Sequence, residues 1–240
     1  MAEQLSFDEL FGDSVSVVGE PHLACILLLD ISGSMSGEPI WNLNKAIRQF
    51  KEQVCRDEIA RKRVDVAVVT FATNVQIKSD FVPIEKLPDI NLQANGTTMM
   101  AEGINVAIDM VKKRNAFYQQ IGIPFFKPWI FMITDGLPNS TPIAMEQAAQ
   151  RIHKEENSGS NGKLKFWVLG INGYDSSEMF KLTKRVVELK DHDFTGIFDW
   201  LSDSMTAISQ STVGQNVPLE RLPENARKAK EDRRIDEDWY

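Results

Sequence analysis

Short apolar runs alternate with helical patterns along most of the chain. The runs at residues 23–30, 64–71 and 128–135 are almost continuously hydrophobic, which is typical of strands buried on both faces of a sheet. After the first run, apolar residues recur at helical spacing over residues 40–54, and the same spacing returns over residues 100–111. This alternation of strand, helix and strand predicts parallel strand pairs joined by crossover helices.

The same alternation continues to about residue 213. We therefore predict a single α/β domain over residues 22–213, with an open, mostly parallel, doubly wound Rossmann-like sheet and helices on both faces. The stretch NVQIKSDFVPI at residues 74–84 predicts one short antiparallel edge strand.

Two terminal segments differ from this pattern. Residues 1–21 form an acidic segment without the positive-then-apolar order of a signal peptide. Residues 214–240 are dense in both charges and nearly free of aliphatic residues, which predicts a tail outside the domain. The tail is either plainly solvated or docks a partner through Trp239 and Tyr240.

Charge and cysteine content narrow the functional classes. The 240 residues carry a formal net charge of −7, which disfavours nucleic acid and anionic membranes as partners. No apolar stretch approaches the roughly 20 residues needed to cross a bilayer. The two cysteines, Cys25 and Cys55, lack metal-ligand spacing and indicate buried thiols in a reducing compartment. We expect a soluble, cytoplasmic protein.

Polar side chains follow two of the predicted strands where those strands end. Ligands of open parallel sheets bind at this edge, so carboxylates and hydroxyls from the two strand ends should share one crevice. Oxygen donors of this kind suit Mg²⁺ or Mn²⁺. The candidate metal ligands are Asp30, Ser32, Ser34 and Asp135, joined by Thr97 or Thr98.

The ordered set of these residues resembles the metal-ion-dependent adhesion site of von Willebrand factor type A domains. The matching elements are Asp30-x-Ser32-x-Ser34, then Gly96-Thr97, then Thr134-Asp135-Gly136. The resemblance implies that the hydroxyls of Ser32, Ser34 and Thr97 bind the metal, with Thr98 the less favoured threonine. It implies that Asp30 and Asp135 act mostly through water, and that Met35, Thr98 and Gly136 form a rim that contacts a partner.

In such a site neutral hydroxyls leave the cation short of negative charge, so an Asp or Glu of a partner protein completes its coordination. The resemblance thus implies a metal-dependent protein-interaction module and not an enzyme. "GEPI" at residues 37–40 and "ISQSTVGQNVPL" at residues 208–219 resemble the bacterial TerY-like branch, linked to tellurite resistance and stress response. That branch implies a kinase or a phosphatase as partner.

Two other functions remain open from the residues. A metal-dependent phosphohydrolase would need an acid two positions after Asp30, where this chain has Ser32, and a basic residue in the rim loops. A scaffold domain with a vestigial metal site is the second alternative. A serine esterase is disfavoured because Met35 occupies the nucleophile position of "GSMSG".

Overall fold

A seven-stranded sheet forms the centre of the computed structural model, which describes residues 19–158, 163–171, 173–219 and 221–229. The strands are β1 (Leu23–Asp30), β2 (Val64–Phe71), β3 (Val75–Pro83), β4 (Trp129–Thr134), β5 (Lys165–Gly170), β6 (Val186–Leu189) and β7 (Ala226–Lys228). Their order across the sheet is β3-β2-β1-β4-β5-β6-β7. Most of residues 1–21, and the proposed docking tip at Trp239 and Tyr240, lie outside the described residues.

Helices cover both faces of this sheet. They are α1 (Glu38–Arg56), α2 (Glu58–Arg63), α3 (Met100–Gln120), α4 (Pro142–Glu156), α5 (Ser176–Leu182) and α6 (Thr195–Gln210). Helices α1, α2 and α6 pack in one apolar core, and α3, α4 and α5 pack in a second core on the opposite face. None of the described helices combines the length and apolar character needed to cross a bilayer.

Alternation along each central strand explains the two cores. On β1, Leu27 belongs to the core under α1 and α6, whereas Leu28 belongs to the core under α3 and α4. Successive side chains of a strand point to opposite faces, so a strand buried on both sides has to be apolar throughout. The predicted doubly wound α/β fold is therefore confirmed.

Strand β1 is the switch point of the sheet, with β2 and β3 added on one side of it and β4 to β7 on the other. Strand β1 pairs in parallel with β2 on one side and with β4 on the other. The crossovers from these strands leave on opposite sides, which opens a crevice at the carboxyl ends of β1 and β4. Asp30 ends β1 and Asp135 directly follows β4, so the topology brings the two acids to one crevice.

The sheet edges differ from the sequence prediction. Strand β3 is antiparallel to β2 as expected, but its nine residues make it the longest strand described and not a short one. A second antiparallel edge strand, β7, pairs with β6, and an ion pair of 2.9 Å joins Arg227 to Glu188. The sheet therefore has two antiparallel edge strands among the described residues, where one short edge strand was predicted. Three residues of the charged segment complete the sheet.

A buried polar network lies at the amino ends of β1 and β2. Asp65 is fully buried and accepts hydrogen bonds from His22 Nδ1 and Arg114 Nη2, each at 2.9 Å, and from the Tyr118 hydroxyl. The Arg114 guanidinium also lies 4.7 Å from the ring centroid of Tyr118. These contacts tie α3 to the sheet at the end opposite the crevice.

Candidate metal centre

Asp30 is held rigidly at the bottom of the crevice. Its side chain is fully buried, and its two carboxylate oxygens accept hydrogen bonds from Ser32 N at 2.8 Å and Thr134 Oγ1 at 2.7 Å. Burial raises the pKa of Asp30 above its usual range, while the bonds from Ser32 and Thr134 lower it in part. A nearby cation would favour the charged form of such a desolvated carboxylate.

Ser32, Ser34 and Asp135 present three oxygens in a row. Ser32 Oγ lies 3.1 Å from Ser34 Oγ, and Ser34 Oγ donates a hydrogen bond of 2.8 Å to Asp135 Oδ1. Oxygens at about 2.1 Å from Mg²⁺ in adjacent octahedral positions are separated by roughly 3 Å. The two adjacent pairs, Ser32 with Ser34 and Ser34 with Asp135, therefore have the spacing of oxygens that surround a small divalent cation.

The loop before α3 is fastened to the loop after β1. Gly33 N donates to the Gly96 carbonyl at 3.0 Å, and Asn95 N donates to the Ile31 carbonyl at 2.8 Å. Gly96 has a φ of +89°, a left-handed conformation that glycine adopts without strain. These bonds fix which of the following threonines faces the crevice.

Thr98, and not Thr97, lies on the crevice side. A Cβ atom built on Gly136 would be 3.7 Å from Ser34 Oγ and 3.8 Å from Thr98 Oγ1, so the two hydroxyls border the same small space. The exposed Thr97 is bonded instead to Thr73, whose Oγ1 lies 3.1 Å from Thr97 N and 3.4 Å from Thr97 Oγ1. Thr98 therefore has the placement that the resemblance implied for Thr97.

Asn139 determines this placement of Thr98. Thr98 N donates to Asn139 Oδ1 at 2.8 Å, and Asn139 N donates back to the Thr98 carbonyl at 2.8 Å. The pair joins the loop before α3 to the loop after β4, which carries Asp135. Asn139, three residues after the Thr134-Asp135-Gly136 motif, was missed as a site residue, and Thr134 was matched as part of that motif without being given a role of its own.

Two of the three predicted rim residues differ from expectation. Met35 is fully buried in the core under α1, because the short 3₁₀ turn Gly33–Met35 points its side chain inward. Thr98 is also buried, with 5% of its surface exposed, and belongs to the crevice wall. Gly136 remains half-buried at the crevice mouth. Leu137, which was not predicted, is 58% exposed beside it.

The donor set of the crevice fits a hard cation. Burial raises the pKa of Asp135, and the hydrogen bond from Ser34 lowers it in part. Within the described part of the chain, no three His, Cys, Asp or Glu side chains converge on one metal-sized centre. The crevice instead combines two carboxylates with serine and threonine hydroxyls, ligands that suit Mg²⁺ and Mn²⁺ better than softer metals.

Comparison with known proteins agrees with this arrangement at the level of fold and family. The profile of the von Willebrand factor type A domain matches residues 25–195, which include all of the crevice residues. Comparison with curated proteins gave no significant match.

Solved structures of similar fold come from diverse proteins. A von Willebrand factor type A protein from Catenulispora acidiphila has a TM-score of 0.61 at 15% identity, covering 78% of this chain and 43% of the other. Proximal thread matrix protein 1 from the mussel byssus has a TM-score of 0.52 at 15% identity, covering 88% and 49%. The PilB minor pilin from Streptococcus sanguinis has a TM-score of 0.55 at 13% identity, covering 79% and 62%.

These relatives share the fold at low identity, and the chain spans less than half the length of the first two. Family membership rests on the profile match, which includes more than two thirds of the sequence. Strand order, crevice and motif order all agree with it. The chain belongs to the von Willebrand factor type A domain family, whose members often mediate metal-dependent protein interactions.

Proposed function

We propose that the chain is a metal-dependent protein-interaction module whose crevice presents a divalent cation to an acidic residue of a partner. The observation that carries this proposal is the row of oxygens from Ser32, Ser34 and Asp135, spaced at 3.1 and 2.8 Å at the sheet's switch point. Ser32, Ser34 and Thr98 would hold the cation directly, while Asp30 and Asp135 would orient those hydroxyls and bound water. When bound, the cation supplies an open Lewis-acidic position for a carboxylate oxygen.

The charge of this ligand set favours an acidic partner. Hydroxyl ligands are neutral, and Asp30 already accepts two hydrogen bonds away from the crevice mouth. Because its direct ligands are neutral, a dipositive ion held in this way keeps positive charge that a carboxylate of the partner can neutralise. The half-buried Gly136 leaves space for such a group, because it has no side chain to fill the mouth.

Hydrolysis of phosphate esters is a weaker candidate. An aspartyl nucleophile needs an accessible oxygen aimed at phosphorus. Asp30 is fully buried, and both of its oxygens are engaged by Ser32 and Thr134. These contacts suit a positioning role and support a binding function over an enzymatic one. They also argue against a vestigial site, since each bond maintains the geometry that a metal requires.

Exposed apolar side chains follow both crevice loops in the sequence, and we infer that they supply further contact area for the partner. Leu137 is 58% exposed two residues after Asp135, and Trp41 is 62% exposed in the first turn of α1, which follows the serine loop. Lys45 Nζ lies 5.9 Å from the Trp41 ring centroid. A partner segment that pairs an acidic residue with apolar neighbours would match this surface.

The finer assignments of the proposal rest on sequence resemblance. Mg²⁺ is the preferred ion, with Mn²⁺ as the alternative, because both favour oxygen ligands. A TerY-like role in tellurite resistance or stress response, with a kinase or phosphatase as partner, is supported by the segments at residues 37–40 and 208–219. A cytoplasmic location is supported by the two free thiols, Cys25 and Cys55.

The open coordination position can be tested with Mn²⁺. Water-proton relaxation of the Mn²⁺-loaded chain reports exchangeable water on the ion, and a peptide containing one Glu should displace that water and lower the relaxation enhancement. The same peptide with Gln in place of Glu is the matched control and should leave the enhancement unchanged.

Two variants complete the test. Ser34→Ala should remove the enhancement, whereas Ser36→Ala, two residues along the same loop and exposed, should keep it. Equal responses to the Glu and Gln peptides in a chain that binds Mn²⁺ would contradict the acidic-partner proposal.

A further inference from the structure

A second cleft lies at the amino ends of the parallel strands, whereas the metal centre lies at their carboxyl ends. Its volume is about 910 Å³, and its wall includes Trp129 and Lys165 at the first residues of β4 and β5, and Arg185 just before β6. The ends of α3 and α4 and the segment after α6 complete the wall. None of these residues belongs to the metal centre, so the cleft is a separate feature.

Positive charge dominates this wall. Its two carboxylates are already engaged: Glu155 pairs with Lys112 at 3.2 Å, and Glu156 pairs with Arg185 at 2.6 Å. Two acids against five bases leave an excess of three positive charges on the described wall. The basic residues are Lys112, Lys127, Lys163, Lys165 and Arg185.

The cations stand on an apolar aromatic floor. Lys165 Nζ lies 5.7 Å from the ring centroid of Trp129, and the Arg185 guanidinium lies 5.9 Å from that of Trp167. Both indoles are almost fully buried, so the local dielectric is low and charge interactions are strong. Burial, then repulsion from Arg185 and Lys127, lowers the pKa of Lys165 to about 8. The cations are thus held together against their mutual repulsion.

Helix ends alone do not balance this charge. The carboxyl-terminal parts of α3, α4 and α6 border the cleft, and each helix end carries roughly half a negative charge. Three such ends supply about −1.5 against an excess of three positive charges. Positive charge therefore prevails among the groups of the described wall and these helix ends, and low-dielectric walls strengthen its attraction for a bound anion.

We propose that this cleft binds a small molecule bearing a phosphate or diphosphate group, held by Lys127, Lys165 and Arg185. A phosphate carries up to two negative charges and several acceptor oxygens, which can meet cations that approach from different strands. A single carboxylate has only one charge and two oxygens. The cleft volume leaves room for an organic portion of the ligand, which would pack against the part of the wall that includes Phe125 and Trp129.

The probe for this site is inorganic pyrophosphate, titrated calorimetrically into the full chain. Metal is first removed on a chelating resin and no soluble chelator is added, because a chelator is itself a polyanion. Saturable binding of about one pyrophosphate per chain is expected. Citrate, run in parallel as a polycarboxylate, should bind at least tenfold more weakly, and citrate binding of equal strength would overturn the phosphate assignment.

Charge-neutral variants localise the binding. Lys165→Gln and Lys127→Gln should each weaken pyrophosphate binding at least tenfold, and either variant suffices if the other does not fold. Lys62→Gln, on the exposed surface of α2, should change the affinity by less than twofold. Ser34→Ala should retain full binding, which separates this cleft from the metal centre.

Besides citrate binding of equal strength, three further results would overturn the proposal. These are the absence of saturable heat with the folded wild-type chain, an equal loss of affinity in Lys62→Gln, and loss of pyrophosphate binding in Ser34→Ala. In the first case the cations serve only the protein's own carboxylates and helix ends.

Discussion

Ser34 Oγ donates a hydrogen bond of 2.8 Å to Asp135 Oδ1, although 101 positions of sequence separate the two residues. The bond spans the loops that follow β1 and β4, which are parallel neighbours in the sheet. Both strands must therefore be paired before the two groups can meet. Metal binding by this chain should accordingly depend on the complete fold and not on a local segment.

Thr98→Val should weaken Mg²⁺ binding about tenfold, the loss typical of a supporting or directly bound hydroxyl. Valine keeps the shape of threonine and removes only the oxygen that borders the crevice beside Ser34. Calorimetric titration of the metal-stripped variant measures the change.

The neighbouring Thr97→Val is the matched control for that change. Its hydroxyl is bonded to Thr73 and is exposed, so its removal should alter Mg²⁺ affinity by less than twofold. A larger loss of affinity in Thr97→Val than in Thr98→Val would instead support Thr97 as the metal ligand, as the sequence resemblance implies.

Gly96→Ala should both destabilise the fold and weaken Mg²⁺ binding. The residue has a φ of +89°, and an added Cβ would clash with Thr73 Oγ1. Strain of this kind costs about 1–3 kcal/mol, and relief of it would shift the Gly96 carbonyl that accepts Gly33 N. Thermal unfolding and Mg²⁺ titration measure the two effects.

Gly122→Ala is the matched control for Gly96→Ala, because it introduces the same backbone strain without a clash against a neighbouring side chain. Gly122 has a φ of +71°, but its added Cβ would have no atom within 4 Å. This variant should lose about 1–2 kcal/mol, the cost of a left-handed backbone at a residue with a Cβ, and keep its Mg²⁺ affinity. A loss of Mg²⁺ affinity equal to that of Gly96→Ala would show that the loop position of Gly96 is not what matters.

Topology explains which parts of the site were predictable. Apolar runs ending in Asp30 and Asp135 indicated parallel strands, and parallel strands place their carboxyl ends at one edge, so the meeting of the acids followed from the pattern. The choice between Thr97 and Thr98 did not follow, because a one-residue difference in loop register depends on bonds to Thr73 and Asn139. Neither bond has a signal in the local sequence.

The remaining differences also arise from tertiary contacts. Strand β7 has only three residues, Ala226–Lys228, and its arginine and lysine gave no strand pattern. It forms because the open edge of β6 offers backbone partners. Met35 lies in a polar loop, yet the 3₁₀ turn directs it into the core, a rotation that composition cannot predict.

Asp65→Ala should destabilise the fold by about 3–5 kcal/mol, since it leaves the buried Arg114 guanidinium without its carboxylate partner. It also removes an acceptor from His22 and Tyr118. Chemical denaturation measures the free energy of unfolding. Asp89→Ala, at an exposed loop position, should stay within about 0.5 kcal/mol of wild type, and a similar small effect at Asp65 would contradict the structural role of the network.

Lys165→Met should raise the thermal midpoint at pH 7 by roughly 2–4 °C. Burial and neighbouring cations lower the pKa of Lys165 from 10.5 to about 8, so the folded state carries the cost of the charged ammonium at all pH values below 8. Between pH 8 and 10.5 the unfolded chain binds more protons than the folded chain, and wild-type stability should rise with pH.

The methionine variant removes that proton linkage. Its gain in stability over wild type should shrink as the pH rises through this window, which thermal scans at pH 7 and pH 10 would detect. A destabilised Lys165→Met at pH 7 would contradict the description of Lys165 as a cation held at an electrostatic cost.

The most direct measurement is calorimetric titration of the metal-stripped chain with Mg²⁺, with Ser34→Ala and Ser36→Ala run beside it. Ser34 contributes a central oxygen of the candidate site, whereas the exposed Ser36 lies two residues away in the same loop. We predict saturable binding of about one ion in the wild type and in Ser36→Ala, and a loss of at least tenfold in affinity in Ser34→Ala. Absence of Mg²⁺ binding by the folded wild type, or equal binding by both variants, would contradict the assignment of the crevice as a metal centre.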